Sequence, residues 1–463
     1  MTASENSPLF RSLFAVNDVS SKLFPWICER NKSIPVEVEL APWKNVADWE
    51  FDSISGDLRH NTGKFFAITG LDVFVNDGKV KHWTQPIIYQ PEVGYLGILA
   101  KEFGGVTHFL MQAKVEPGNV NCVQISPTLQ ATRSNYTRVH GGKKPAFLEL
   151  FQKATRNLIM LDQLQSEQGA RFYRKRNRNI IIKTTEEIPP HPDFMWMTLG
   201  QIKRLMRFDN VVNMDTRTVI SGLKFQPDPE ASDCNVSEFG KALMASEQSM
   251  SGTLSIDEIL YWLSDLKSKY ELVVSRIPLN QVEDWLVTDS EIVRHDRKYF
   301  RVAGANISIG NREVVAWSQP LVEPMQEGLC VLFAKNMNGI LHFLLQAKIE
   351  CGNFDVVELS PTIQCLTGNY DETKHLVYFL EAFLSGGIIK NKIFDTKQSE
   401  EGGRFYKEQN RNVIVEVCDA FDEDVPERFC WMTLGQIKEF LRYNNYLNIQ
   451  VRSLISALEY CND

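Results

Sequence analysis

Two tandem copies of an α+β module, each an α/β/α sandwich, are the architecture this sequence predicts, and three observations lead there. The chain has 463 residues, beyond the size at which one hydrophobic core usually keeps growing. Long blocks of the first half return in the second at an offset that stays between 233 and 236. Each copy also mixes strand-like runs, bounded by turn residues, with segments of helical periodicity.

The repeat runs nearly the whole length. Trp26 and Trp49 return as Trp262 and Trp285, and HWTQP (82–86) returns as AWSQP (316–320). QSEQGARFYRKRNRNIIIK (165–183) matches QSEEGGRFYKEQNRNVIVE (398–416), and FMWMTLGQIKRLMRFDN (194–210) matches FCWMTLGQIKEFLRYNN (429–445). Two copies are too few for a solenoid, so the pattern reads as duplication of a whole domain. The expected boundaries are 1–224 for the first module, 225–250 for a polar, proline-bearing linker and 251–463 for the second.

Within the first copy, FFAITGLDVFV, YLGILAK, THFLMQAKV and NIIIK are expected strands, rich in β-branched and aromatic residues. PAFLELFQKATRNLIMLDQL (145–164) has helical spacing. Thr198 with Gln201 forms a capping box that opens a helix at QIKRLMRF, and Thr433 with Gln436 repeats it. Ser255 with Glu258 forms another, ahead of the helix that carries Trp262.

Composition narrows the function classes. With 43% apolar and 23% charged residues the chain is ordinary globular material. A net charge of −8 argues against a general nucleic-acid or anionic-membrane binder. Nine cysteines without a CxxC pair read as reduced thiols. No apolar run approaches the roughly 20 residues of a membrane span, and LFRSLFAV lacks the charged region of a signal peptide. The expectation is a soluble, cytoplasmic protein.

The most informative block is HFLMQAKVEPGNVNCVQISPTLQATRSNY (108–136), which returns at 342–370 with 16 of 29 positions identical, most of them polar. A repeated core needs only apolar character of similar volume; repeated polar identity points to a repeated site. Because alternate strand residues face opposite ways, Phe109, Met111, Ala113 and Val115 form a core face. His108, Gln112, Lys114 and Glu116 share the other, as His342, Gln346, Lys348 and Glu350 do in the second copy. A polar pocket over the sheet follows, with Lys and Glu about 7 Å apart along the strand.

Beyond the EPGN turn, Ser126, Thr128, Gln130, Asn135 and Tyr136 offer neutral hydrogen-bonding groups suited to sugar hydroxyls or a pyrimidine edge. Their plain alternative is turn-making. In RFYRKRNRN, Arg171, Arg174 and Arg178 are candidates for an anion, matched by Arg404 and Arg411; arginine meets phosphate bidentately. The basic run is poorer in the second copy, where Glu408 and Gln409 replace Lys175 and Arg176, which ranks RNA binding last. No P-loop, dinucleotide fingerprint, HExxH, acidic metal ladder or GxSxG elbow is present, so neither metal nor cofactor is expected.

QAKVEPGN, SPTLQATRSNY, LQSEQGARFYRKRNRN and MWMTLGQIKRLMRFDNVVNMDTR together resemble the nucleoside-diphosphate-hexose 2,3-dehydratases, in both copies and over nearly the whole chain. The resemblance implies two Nudix-like modules per subunit, a homodimer, and conversion of dTDP-4-keto-6-deoxy-D-glucose to the 3,4-diketo-2,6-dideoxy sugar. It implies one working pocket and one remnant. A 3-ketoreductase would consume the unstable product. No Nudix box is present, so metal-dependent pyrophosphate hydrolysis is not expected; that hydrolysis, or nucleotide-sugar binding without catalysis, stands as the alternative.

Residue chemistry and repeat logic then favour the first copy as catalytic. Glu116 is base or acid, Lys114 the electrostatic partner of O4, and His140 or Tyr136 the second proton-transfer group. Arg171 and Arg178 hold the diphosphate with Arg174 and Arg133 near, and Trp83 stacks on thymine. Gln112, Asn119, Thr128, Gln130 and Asn135 complete the expected binding set. The second pocket is expected to gather Trp317, Gln346, Lys348, Glu350, Thr362, Gln364, Asn369, Tyr370, Arg404 and Arg411.

Overall fold

The computed structural model describes residues 3–78, 80–137, 143–226, 236–367 and 377–460. Its two halves are built alike. In the first, Val106–Val115 lies at the heart of a seven-stranded sheet, between Gly94–Phe103 and Phe194–Thr198. Val123–Ser126 adds to it, and Leu129–Ala131 adds to Gly94–Phe103. Arg176–Lys183 runs parallel to Gly94–Phe103, which makes the sheet mixed. The second sheet repeats this order around Ile340–Lys348.

The strand polarity works as the alternation requires. Phe109, Met111, Ala113 and Val115 are fully buried in the core beneath helices Ala3–Phe14 and Leu199–Leu205. Leu110 packs on the opposite face against the short helix Leu148–Lys153. All three expected capping boxes form. The helix expected over 145–164 is broken: only Leu148–Lys153 is α-helical, and Ile159–Ser166 is a strand paired antiparallel with Arg176–Lys183. Edge pairing to the sheet overrides the local periodicity there.

A second departure concerns independence. Each half has a further five-stranded sheet, and each borrows one strand. Val36–Ala41 pairs with Phe300–Ile309 of the second repeat, and Leu272–Ile277 pairs with Ala67–Val75 of the first. One apolar core runs through both repeats. Helices Met214–Ile220 and Ile449–Ser456 meet at its centre, where Arg217 and Arg452 are each only 1% exposed. Such burial demands full hydrogen bonding. Arg217 donates to Ser453 Oγ (2.7 Å), Gln398 Oε1 (3.0 Å) and the Ser399 carbonyl (2.6 Å), all across the repeat boundary. Arg452 reciprocates with Gln165 Oε1 (2.8 Å) and the Ser166 carbonyl.

The segment expected as a linker, 225–250, contains helix Glu238–Gln248. It packs as Ala3–Phe14 does: the Thr433 hydroxyl donates to the Ser249 carbonyl as Thr198 donates to Ala15. The second repeat therefore begins ahead of residue 251.

Candidate active site

Crossed strands create crossed pockets. In the first repeat Lys114 and Glu116, 7% and 6% exposed, project from the end of the central strand, with Lys114 Nζ 3.9 Å from Glu116 Oε1. Gln130 fixes both: its carbonyl accepts from Lys114 (3.4 Å) and its amide donates to Glu116 Oε1 (2.9 Å). Asn213, the N-cap of helix Met214–Ile220, donates to Ser126 Oγ (3.0 Å) and to Gln130 Oε1 (3.4 Å). The second repeat rebuilds this framework with Lys348, Glu350, Gln364 and Asn448.

The wall facing each framework comes from the other repeat. The first cleft has an inner lobe of about 90 Å³ and an outer lobe of about 330 Å³. Asn135, Arg312, Trp317, Gln319 and Arg404 line both lobes. The second cleft, about 600 Å³, sets Lys348, Glu350 and Gln364 opposite Trp83, Gln85 and Arg171.

Why WTQP and WSQP repeat is now clear. Trp317 Nε1 donates to Gln319 Oε1 (2.9 Å), and Gln319 Nε2 donates to the carbonyl of Gly403 (2.7 Å), next to Arg404. Indole, amide and the arginine-bearing turn are one connected unit. The Arg404 guanidinium stacks on Phe66 of the first repeat (4.4 Å) and has no carboxylate partner among the described residues. Its Nε is buried without an acceptor. Arg171 over Phe300 (4.4 Å) is the counterpart.

The site expected from sequence is thus regrouped. Lys114, Glu116, Gln130 and Asn135 line the first cleft, but Trp83 and Arg171 belong to the second, while Trp317 and Arg404 belong to the first. The reason is the strand exchange, which sets each repeat's Trp-x-Gln strand against its neighbour. Arg178 makes a bidentate pair with Asp162 (2.7 and 2.6 Å), and Arg411 does so with Asp395 (2.8 and 2.7 Å), so neither lines a cleft. Thr128 and Thr362 staple the sheet, bridging a backbone carbonyl and a backbone N–H. Asn119 closes its own turn on the Cys122 carbonyl (2.6 Å).

Gln112 and Gln346 are half-buried on the strand, outside both cleft linings. Arg133 and Arg174 are exposed, and Arg174 lies beside Tyr173. Tyr136 packs edge-on against Tyr95 (5.9 Å) rather than into the cleft. His140, Asn369 and Tyr370 lie outside the described residues.

Sequence reasoning passed over several liners of the first cleft: Glu167, Lys175, Asp215, Arg312 and Glu401. Burial dominates the titration of Glu167, Lys175, Asp215 and Glu401. It raises the carboxyl of Asp215 well above its ordinary value, with Glu167, Glu401 and Glu116 adding repulsion. It raises Glu401 to about 7 and lowers Lys175 to about 8. Burial lowers Lys114 too, against the opposing pull of Glu116. A polar enclosure holding lysines, an arginine without an ion-pair partner among the described residues and a carboxyl raised by burial suits proton transfer beside a bound anion. In the second cleft the aligned positions of Asp215 and Lys175 hold Gln450 and Glu408.

The NDP-hexose 2,3-dehydratase family model matches residues 20–223 and again 256–458. Among curated proteins the chain is 44% identical, over 437 residues, to a dTDP-4-dehydro-6-deoxy-alpha-D-glucopyranose 2,3-dehydratase of Saccharopolyspora spinosa, covering 94% of this chain and 90% of that protein. Proteins of the same name from Streptomyces violaceoruber and Amycolatopsis orientalis are 40% and 39% identical, each over 94% of this chain and over 95% and 88% of their own lengths.

Proposed function

The chain belongs to the NDP-hexose 2,3-dehydratase family, and on that footing we propose that it removes water across C2 and C3 of dTDP-4-keto-6-deoxy-D-glucose, in the cleft of Lys114 and Glu116. The three relatives named for this activity on dTDP-4-dehydro-6-deoxy-glucose support the substrate. The observation that carries the choice of cleft is the joint enclosure of Lys114, Glu116 and Arg404 with buried carboxyls, two of which, Asp215 and Glu401, are replaced in the second cleft by Gln450 and Gln168.

The 4-keto group acidifies the proton on C3. Glu116 takes that proton, and the C–H electron pair moves into an enolate whose charge falls on O4. Lys114 is the cation placed to stabilise that oxygen. The enolate returns its electrons to form the C2–C3 double bond as the C2–O bond breaks, and the departing oxygen takes a proton from an acid in the cleft to leave as water. The remaining enol ketonises, giving up the O3 proton to the acid as Glu116 delivers its own to C2. Arg404 binds the diphosphate, and Trp317 offers a ring face to the base. The second cleft binds a nucleotide-sugar without turning it over.

Cytoplasmic location and a homodimer complete the proposal; the dimer rests on the family resemblance and is testable by light scattering. A reactive diketone calls for an enzyme that reduces C3 next, and such a reductase supplies the assay. Purified protein with the 4-keto substrate, EDTA and the trapping reductase should give reduced 2-deoxy sugar. Loss of turnover in EDTA with recovery on adding Mg²⁺ would favour a Nudix-type hydrolase. Tight binding of dTDP with the sugar left intact would favour a binding protein.

A further inference from the structure

We propose that Asp215 is the acid of the elimination, the group that protonates the departing C2 oxygen. This rests on the function proposed above and adds a residue that neither the repeat nor the relatives assign.

The need comes first. Expulsion of hydroxide is poor unless the leaving oxygen is protonated as it departs. Of the two groups expected for this task, Tyr136 packs against Tyr95 and does not line the cleft, and His140 lies outside the described residues. Asp215 lines it, is 2% exposed, and holds Oδ1 buried with no hydrogen-bond partner among the described residues.

The second support is positional. Asn213 ties the helix of Asp215 to Gln130, and Gln130 donates to Glu116. One hydrogen-bonded chain therefore sets the spacing between the two carboxyl groups. The second repeat builds the same chain from Asn448 to Gln364 to Glu350, at 2.8 and 3.0 Å. Only the terminal residue differs: Gln450 stands where Asp215 would be, lining the second cleft. A primary amide cannot deliver a proton to a leaving group near neutral pH. The framework is duplicated, and the carboxyl at its end is present once.

The environments of the two carboxyls also differ in kind. Glu116 accepts from Gln130 and stands near the Lys114 ammonium, partners that suit an anion and therefore a base. Asp215 Oδ1 is buried with no hydrogen-bond partner among the described residues, and burial with the surrounding carboxylates raises its carboxyl well above the ordinary value against the pull of Lys114. A carboxyl hydrogen-bonded by an amide beside one that burial raises fits a base next to an acid. In the balanced step the C3 proton goes to Glu116, the C2–O electron pair leaves with the oxygen, and the Asp215 proton completes water. Ketonisation then returns a proton from O3 to Asp215 while Glu116 releases its own to C2.

The test uses the full-length protein in D₂O and reads two events separately: deuterium entry at C3 of recovered substrate, and water loss through the reductase trap. Asp215→Asn should lower elimination at least 100-fold, within the range for a lost acid catalyst of about 10²–10⁴. It should keep C3 exchange within a few-fold and bind dTDP as the wild type does. Asp215→Glu should restore part of the elimination. Elimination at the wild-type rate in Asp215→Asn overturns the assignment. Parallel loss of exchange and elimination with dTDP binding intact also overturns it, since Asp215 would then be the base. If Asp215→Asn fails to fold by its thermal melt, Asp215→Glu carries the same division between the two readouts. A wild-type protein that neither exchanges nor eliminates overturns the dehydratase function itself, a separate failure.

Discussion

Arg404 and Arg171 occupy equivalent positions in the two repeats, and replacing each by alanine tests the crossed construction of the clefts directly. If each repeat served its own strand, Arg171 would partner Lys114. The structure instead puts Arg404 in that cleft, with a buried Nε lacking an acceptor and no carboxylate within ion-pair distance among the described residues. Two charge-assisted hydrogen bonds to a diphosphate, at about 1.5–3 kcal/mol each, amount to at least about 3 kcal/mol. At 1.36 kcal/mol per decade that is about 150-fold in kcat/KM. Arg404→Ala should therefore lose about 150-fold in the coupled elimination assay, and Arg171→Ala no more than about threefold. Arg404→Lys should recover only part, because an ammonium does not reproduce the planar fork. A melting curve controls for the lost stacking on Phe66, worth about 0.5–2 kcal/mol. A large loss confined to Arg171→Ala would refute the crossed assignment, and equal losses would mean that both clefts turn over substrate.

Gly118→Ala should cost about 3–5 kcal/mol in a urea titration, because its Cβ would sit 1.6 Å from the Phe405 carbonyl oxygen and break the cross-repeat bonds Gly118 N–H to Gly402 and Lys407 N–H to Gly118; a cost under about 1 kcal/mol would deny that this turn is a fixed joint. Lys438→Met should cost about 3–5 kcal/mol, since it strands Glu247, 2.5 Å away and buried, and adding Glu247→Gln should recover most of it; a neutral single variant would mean the carboxyl is not charged. Burial raises Glu358 to about 7 from an ordinary 4.5. A group with a raised folded-state pKa contributes stability present below the unfolded value and lost as pH rises through the folded one. Glu358→Gln should therefore gain midpoint relative to wild type between pH 4.5 and 7 in parallel titrations, and a difference that stays flat or shrinks would contradict this.

The central strand was legible because alternation is a local property: Phe109 to Val115 face the core and Lys114 with Glu116 face a cleft, as the residue order requires. Strand exchange was not. Val36–Ala41 and Leu272–Ile277 are equivalent by repeat, and no local pattern says whether such a strand pairs within its own copy. Repeated polar identity also proved to have two causes. In Gln130 it marks a cleft framework; in Thr128, Arg178 and Arg217 it marks backbone staples, surface ion pairs and the joint between repeats. Asp215 was hidden because it lies just beyond the matched block that ends at Asn210, in a stretch where the copies diverge and Gln450 is one difference among several.

Interlocking also explains how one cleft can lose its acid while its framework persists. Neighbouring residues of each Gln-Ser-Glu turn line opposite clefts: Glu167 faces the first and Gln168 the second, while Glu400 faces the second and Glu401 the first. The Gln168 amide donates to Glu400, so the turns form a shared partition. The turn following Glu350 docks on the stretch that leads to Lys175, with Gly352 N–H on the Gly169 carbonyl (2.6 Å) and Arg174 N–H on the Gly352 carbonyl (2.7 Å). Lys175 lines the first cleft. The Lys348–Gln364–Glu350 framework thus supports, through that turn, a cation of the other cleft. Loosening it would disturb the first cleft as well as the second, whereas Asp-to-Gln exchange at the position of Gln450 leaves the shared partition in place. Divergence is therefore cheap at the end of the framework and costly within it; the clefts differ at that end and on their walls, where Gln168 and Glu408 stand for Glu401 and Lys175.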